Sequence, residues 1–505
     1  MTAQLLDLPA EGTQLRRTDA VTLLTIYTFL LMVIPSPLVF SPLGGAGGPD
    51  TIFGCVLLVM YLVTLATPFL AVAKGPQPIR VAAVLFTCVV IAAYISANRR
   101  SLPSLEQNGG DRGLILMLGW LGIMLVAADG IPTMDRLKVL LRRIVLGATA
   151  MSILAIVQFA TGLQAAKYIQ IPGLTAQTPF TDLLTRNNLN RPSATAIDPI
   201  ELACVLAICL PIAIHQARFA APGERLKRWL QAALIGAALP MTVSRTGIVA
   251  LAAAALVLLP TWPKRDRRVA YVVGVIAVGV MYASIPGLLG EFRSLFGQVG
   301  TDTSSTSRTG AFSRAMPFVS MHPWLGRGFG TFLPSTYFFT DDQYLLSLIE
   351  IGFIGLLALL GLFITGYMCA RNARRLSTNP EIRDLGQTMA AAVAVPIVAF
   401  ATFDATSFAM AASLTFLIMG CAGALWRLVR TDQAAALAGP GPADRGPGGG
   451  GSGGRGGGPG GGRPGRHGPD GAGAARPGDA PAPDFSDTAP IPVIRVGAGA
   501  PTGSH

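Results

Sequence analysis

Residues 229–262 read WLQAALIGAALPMTVSRTGIVALAAAALVLLPTW, an apolar run of 34 residues with a single charge, Arg245, near its middle. As one helix rising 1.5 Å per residue it would be ~51 Å long, against a hydrocarbon core of ~30 Å, too long for one upright crossing. Pro240 and the pair Ser244-Arg245 interrupt the run, so it divides into two spans with Arg245 at the turn between them. The basic segments on either side, 218–228 and 264–268, are then two crossings apart and lie on the same side of the membrane.

Working outward, further apolar stretches fall at 20–42, 51–73, 79–97, 113–131, 140–162, 199–216, 269–290 and 343–370, and the run 387–428 divides at Asp404. The total of about twelve predicts an all-α, polytopic membrane protein. Composition agrees: 51% of the 505 residues are hydrophobic and 13% charged, whereas a soluble domain carries about 25% charged residues. This composition argues against an ordinary cytosolic enzyme. With the N-terminus in the cytoplasm, the inner segments hold 22 Lys and Arg against 11 in the outer segments before the C-terminal tail, as the positive-inside bias requires. The first span follows Arg16 and Arg17 without an Ala-x-Ala cleavage site, so it reads as a retained helix. All six cysteines sit in apolar runs without CxxC spacing and read as packing residues.

The predicted organisation is a cytoplasmic N-terminus (1–19), a transmembrane domain (20–430) and a disordered Gly/Pro-rich cytoplasmic tail (431–505). Two outer loops are long: 163–198, and 291–341 between helices 9 and 10. The net charge of +12 suggests an acidic partner, but most of the excess sets topology. The tail interleaves Asp with Arg and reads as a tether, with no nucleic acid expected.

A few outer charges stand apart from this bias. Arg99, Arg100 and Arg112 read as a solvated polar loop. Arg245, in Ser244-Arg245-Thr246-Gly247, either snorkels to the interface or holds an anion. Arg308 and Arg314 lie in the large loop, followed by His322-Pro323-Trp324-Leu325-Gly326-Arg327-Gly328-Phe329-Gly330, which reads equally as a ligand-approaching loop or a glycine-rich re-entrant turn. Asp341-Asp342 opens the next helix, as cap or as base. Gln343, Ser347 and Glu350 then share one helix face, which should turn inward. Asp198-Pro199-Ile200-Glu201 reads as an N-cap, a proline at N1 and a capping-box glutamate, and His215 as structural.

The order and spacing of these elements resemble the O-antigen ligase and O-antigen polymerase family, of the actinobacterial type, over residues 20–430 in hydropathy and most sharply over 186–355. The elements are Arg191-Pro192-Ser193-Ala194 with Asp198-Pro199-Ile200-Glu201, Ser244-Arg245-Thr246-Gly247, Ser307-Arg308-Thr309-Gly310 with the Pro323–Gly330 segment, and Asp341-Asp342-Gln343-Tyr344-Leu345 followed by Glu350-Ile351-Gly352. The resemblance implies a membrane glycosyltransferase that transfers or polymerises a polyprenyl-diphosphate-linked glycan onto a glycan or envelope acceptor. It would act at the outer face of the cytoplasmic membrane, without metal or other cofactor. By position, Arg245 and Arg308, with Arg191, would hold the donor diphosphate. Asp341 and Asp342 would be catalytic, with Arg314, His322 and Glu350 as additional candidates. The ligases carry a histidine and an asparagine where this chain has Asp341-Asp342, which favours polymerisation or another acceptor over lipid A ligation. A rival reading, a flippase or exporter of lipid-linked precursors, predicts two similar halves, and no such repeat is visible.

Overall fold

The computed structural model describes residues 19–67, 75–177, 183–186, 189–284 and 303–438. These form thirteen α-helices: α1 (Ala20–Val33), α2 (Pro49–Ala66), α3 (Pro78–Asn98), α4 (Ser104–Gly130), α5 (Met134–Thr161), α6 (Pro199–Arg218), α7 (Arg225–Met241), α8 (Arg245–Leu258), α9 (Lys264–Ser284), α10 (Thr303–Met321), α11 (Gln343–Leu376), α12 (Pro380–Ala399) and α13 (Ala409–Ala438). Eight of them, α2 to α6 and α11 to α13, are long and apolar enough to cross a membrane. α1, α7, α8 and α9 occupy the other four expected spans, and α10 belongs to the large loop. The protein is an all-α polytopic membrane protein.

The 229–262 run divides where its sequence indicates. α7 ends at Met241, Thr242–Ser244 make the turn, and α8 begins at Arg245. Val243, at the apex, has a left-handed backbone, φ 48°. β-structure among the described residues is confined to two short antiparallel pairs, Leu38–Val39 (β1) with Thr175–Ala176 (β2) and Leu184–Arg186 (β3) with Leu189–Arg191 (β4). β1 and β2 tie the 163–198 loop to the end of α1.

α4, α6, α12 and α13 form the buried centre, while α2 and α3 turn most of their surface outward. Lipid supplies no hydrophobic contrast to drive helices together, so close backbone approach matters more than in water. Glycines provide it between α2 and α4: a Cβ at Gly54 would lie 2.9 Å from Gly119 O, and one at Gly122 would overlap Gly54 O. At the end assigned to the inside, His215 is structural as expected. It bonds Asp384 at 2.7 Å, and Arg218 bonds Asp266 at 2.8 Å.

Four expectations need correction. Arg112 is not in a polar loop, because α4 starts at Ser104 and carries it two turns into the helix. α13 runs to Ala438, past the expected tail boundary at 431, since Thr431–Ala438 contains good helix formers and no glycine or proline. Residues 439–505, and 1–18 of the N-terminal segment, lie outside the described residues. The span from 343 is not one helix: Gly352, at φ 67° and ψ −169°, breaks α11. Phe353–Leu376 is left as the crossing piece, ~36 Å at 1.5 Å per residue. The glycine-rich segment is then neither free loop nor simple turn, because it fills this break. Arg327 N–H donates to Ile349 O at 2.9 Å and Gly328 N–H to Glu350 O at 2.8 Å, while Pro323 O and Trp324 O accept from Phe353 and Ile354 at 2.8 and 3.2 Å.

A side chain at position 352 meets two penalties. Its Cβ would overlap Trp324 O, and a backbone at φ 67° and ψ −169° is essentially reserved for glycine and costs another residue roughly 1–3 kcal/mol. Gly352→Ala is therefore expected to lower the thermal midpoint of the detergent-solubilised protein and to make the 322–330 segment protease-sensitive. An unchanged melting curve and digestion pattern would show that the break does not depend on this glycine.

Candidate functional site

Asp198 caps α6 through Ile200 N–H at 2.7 Å, with Pro199 at N1, as the sequence indicates. Glu201 goes further than a capping box. Its Oε2 accepts from Ile197 N–H at 2.9 Å, and its Oε1 accepts from Met410 N–H at 2.8 Å and Ala411 N–H at 3.1 Å, the opening turn of α13. One buried carboxylate thus closes two helix starts, which satisfies donors that would otherwise be costly in an apolar interior.

Asp342 caps α11 by accepting from Tyr344 N–H at 2.8 Å and Leu345 N–H at 3.3 Å. Asp341, beside it, holds a left-handed backbone at φ 51°. Gln343, Ser347 and Glu350 are buried on one face as expected. Gln343 Nε2 donates to Ser347 Oγ at 3.1 Å, and its Oε1 accepts from both the amide and the hydroxyl of Thr406 at 2.8 Å.

Asp404, which in the sequence served only to divide a span, is the third carboxylate of this region. Its Oδ1 accepts from Asp342 N–H at 3.0 Å and from the Thr340 hydroxyl. Burial, and to a smaller extent the negative charges of Asp341 and Asp342, push its carboxyl above the usual range against the lowering effect of these hydrogen bonds.

Two of the candidate arginines belong to the α7–α8 turn and the strand bonded to it. Arg191, on β4, donates from Nε to Thr242 O at 3.3 Å, at the α7–α8 apex that also carries Arg245. Thr246, the next residue of α8, shares a 2.7 Å hydrogen bond with Thr402, two positions before Asp404. Segment 402–406 thus links the Arg191–Arg245 corner to the Asp341–Asp342 corner. Arg308 has its backbone in the second turn of α10, and its side chain lies outside the described residues.

The three additional candidates do not join this group through any hydrogen bond or ion pair among the described residues. Arg314 is exposed, bonds Gly310 O within its own helix and lies 4.7 Å over the Phe338 ring. Glu350 accepts from Phe332 N–H at 3.3 Å and anchors the segment in the α11 break. His322 lies 3.0 Å from Arg100 Nη1 through its Nε2.

His322 belongs to a second cluster that the sequence did not reveal. Arg100 also bonds Arg327 O, and Arg327 pairs with Glu106 at 3.1 Å and with the Tyr337 hydroxyl at 2.7 Å. Arg100 is therefore not simply solvated. An arginine donor requires a lone pair on Nε2, so His322 is neutral here. Burial, then Arg100 and Arg327, hold its pKa below the usual 6.5. The signal available in sequence was only the alternation of glycine and arginine around 326–328.

Fold and site together define a polytopic membrane protein with arginines and carboxylates gathered at one end of its helix bundle. Residues 230–360 match the family model described as O-antigen ligase, Wzy_C. The match supports the O-antigen ligase/polymerase family and, with it, glycan transfer of the O-antigen-ligase type at the cell envelope. It spans Arg245, Arg308, Arg314, His322, Asp341, Asp342 and Glu350, and leaves Arg191 outside. No curated protein matches the chain.

The lowered His322 pKa has a stability consequence with a defined sign. Between the folded pKa and about 6.5 the unfolded chain binds more protons than the native one, so stability is full above that window and is lost as pH falls through it. His322→Gln should flatten this dependence in melting curves taken from pH 7 downward. A mutant curve parallel to wild type would remove His322 as its source.

Proposed function

We propose that this protein transfers or polymerises a polyprenyl-diphosphate-linked glycan onto a sugar or other envelope acceptor, at the outer face of the cytoplasmic membrane. Both termini are then cytoplasmic. The observation that carries the reading is the bond of Arg191 to Thr242 O, in the turn that leads into Arg245, and the link from that turn through Thr246, Thr402 and Asp404 to Asp341–Asp342. That both corners fall within or beside the matched segment 230–360 supports it further.

In this reading Arg245 and Arg308, with Arg191, grip the donor diphosphate through charge-assisted hydrogen bonds, each worth on the order of 1.5–3 kcal/mol. The acceptor hydroxyl attacks the sugar C1, its proton passes to a carboxylate, and the C1–O bond breaks with its electron pair leaving on the polyprenyl diphosphate. Negative charge grows on the leaving group, and fixed guanidinium groups stabilise that growth more than the ground state. No DxD pair or metal-ligand motif occurs in the sequence, and the step is written without a metal. Asp342 is engaged as the cap of α11, so Asp341 takes the proton.

The test is a glycan-transfer assay with lipid-linked donor in membranes holding equal amounts of each variant. Arg245→Ala and Arg308→Ala are expected to lose about 10²-fold or more in rate while remaining inserted and folded. Asp341→Asn should lose comparable activity without loss of stability, whereas Asp342→Ala should cost about 1 kcal/mol of stability through the lost cap. Full activity in both arginine variants would exclude the diphosphate site. Full activity in Asp341→Asn would move the base elsewhere.

A further inference from the structure

A polar cavity of about 170 Å³ lies at the same end of the bundle, between the segment after α1, the start of α2, the first turns of α4 and residues Ser407 and Ala409. Ser36, Asp50, Arg112, Gln177 and Ser407 contribute its polar lining, over a floor that includes Leu31 and Val39. Arg112 is the unusual member. Its Nε is buried without a hydrogen-bond partner, and no described residue pairs with its guanidinium. The chain makes room for it: a Cβ on Gly45 would lie 2.6 Å from the guanidinium carbon.

A desolvated guanidinium that no carboxylate bonds is costly, and an anionic ligand able to bond it directly would relieve that cost. Asp50 lines the same space, with one carboxylate oxygen 3.4 Å from Ser413 Oγ. Carboxylate, amide and hydroxyl groups around one arginine suit a ligand with both an anionic group and hydroxyls. The volume is below the ~300 Å³ at which drug-sized sites begin and holds about six waters at ~30 Å³ each, space for one ring and not for an oligosaccharide. The cavity also adjoins the candidate site, since Ser407 and Ala409 continue the segment that carries Asp404 and Thr406.

We infer that this cavity binds a single acidic sugar unit of the glycan, with Arg112 taking its carboxylate or phosphate group and Asp50 accepting from its hydroxyls. Its assignment to the glycan rests on the glycan-transfer reading above. The binding itself does not.

The experiment is thermal unfolding of the full chain in lipid nanodiscs with sodium glucuronate, inorganic phosphate or glucose. Saturating glucuronate or phosphate is expected to raise Tm by about 2 °C in wild type, with glucose giving no shift. A response to glucuronate identifies a uronic acid, and a response to phosphate alone identifies a phosphorylated unit. The shift should vanish in Arg112→Gln and persist in Arg245→Ala, so a failed transfer mechanism and a failed anion site give different results. If Arg112→Gln does not fold, Gly45→Ala, which displaces the guanidinium, should weaken the shift instead. No shift with either anion, an equal shift with glucose, or a shift undiminished in both cavity variants overturns the proposal.

Discussion

Backbone that leaves the helical path inside an apolar bundle must find hydrogen bonds within the protein, because lipid offers none. The break of α11 at Gly352 meets this constraint by borrowing partners from Pro323–Gly328, and much of the large loop is arranged around that exchange. Each bond contributes only about 1 kcal/mol net, but leaving its groups buried and unmade costs about 1–3 kcal/mol each, so the loop segment is a structural requirement. Once seated, it carries Arg327 to Glu106 on α4 and leads into Phe332, whose ring packs beside Leu345, Leu346 and Ile349. Ala311, Ala315 and Val319 of α10 complete that small core. The loop helix is thereby held against the first half of α11, next to the carboxylates at its start.

A second constraint acts on the segment joining α12 and α13. It is held from three directions: Gln343 takes Thr406, Glu201 takes Met410 and Ala411, and Asp404 reaches back to Thr340 and Asp342. Gln343 and Glu201 are completely buried, so these contacts are formed away from water, where a satisfied polar network rigidifies its surroundings. Two spans separated by a long stretch of chain, α6 and α11, thus fix one short irregular segment. Groups positioned by such a scaffold need little reorganisation when a substrate arrives, and that favours chemistry depending on fixed charge.

What was legible in the sequence was what depends on local spacing. The turn at Ser244-Arg245, the Asp198-Pro199 cap and the buried stripe Gln343–Ser347–Glu350 follow from span length, cap chemistry and the 3.6-residue period, which operate within a few residues. The contacts that tie distant segments together around the candidate residues are not local. Glu201 meets Met410 across 209 residues, Arg100 meets His322 across 222, and nothing in the spacing of either residue announces its partner. Arg112 looked like a loop charge because the apolar run was taken to begin at Gly113, whereas helix formation begins nine residues earlier at Ser104. Hydropathy reports where a helix becomes apolar. It does not report where the helix starts.

The adjacent carboxylates at the head of α11 show how environment divides one residue type between two roles. Asp342 is extended, at φ −155°, and directs an oxygen at two amides of the first turn, where a negative charge also meets the positive end of the helix dipole. Its backbone N–H is meanwhile committed to Asp404. Asp341 is placed differently: its φ of 51° is left-handed where Asp342 is extended. Aspartate tolerates that conformation better than most residues but still incurs strain, which the surroundings must offset. A cap alone would not require it, since capping depends on the extended geometry of Asp342 and is indifferent to the sign of φ one residue earlier. Helix termination therefore does not account for the strain at Asp341. In the function proposed above, that difference is what favours Asp341 over Asp342 as the group that takes the acceptor's proton.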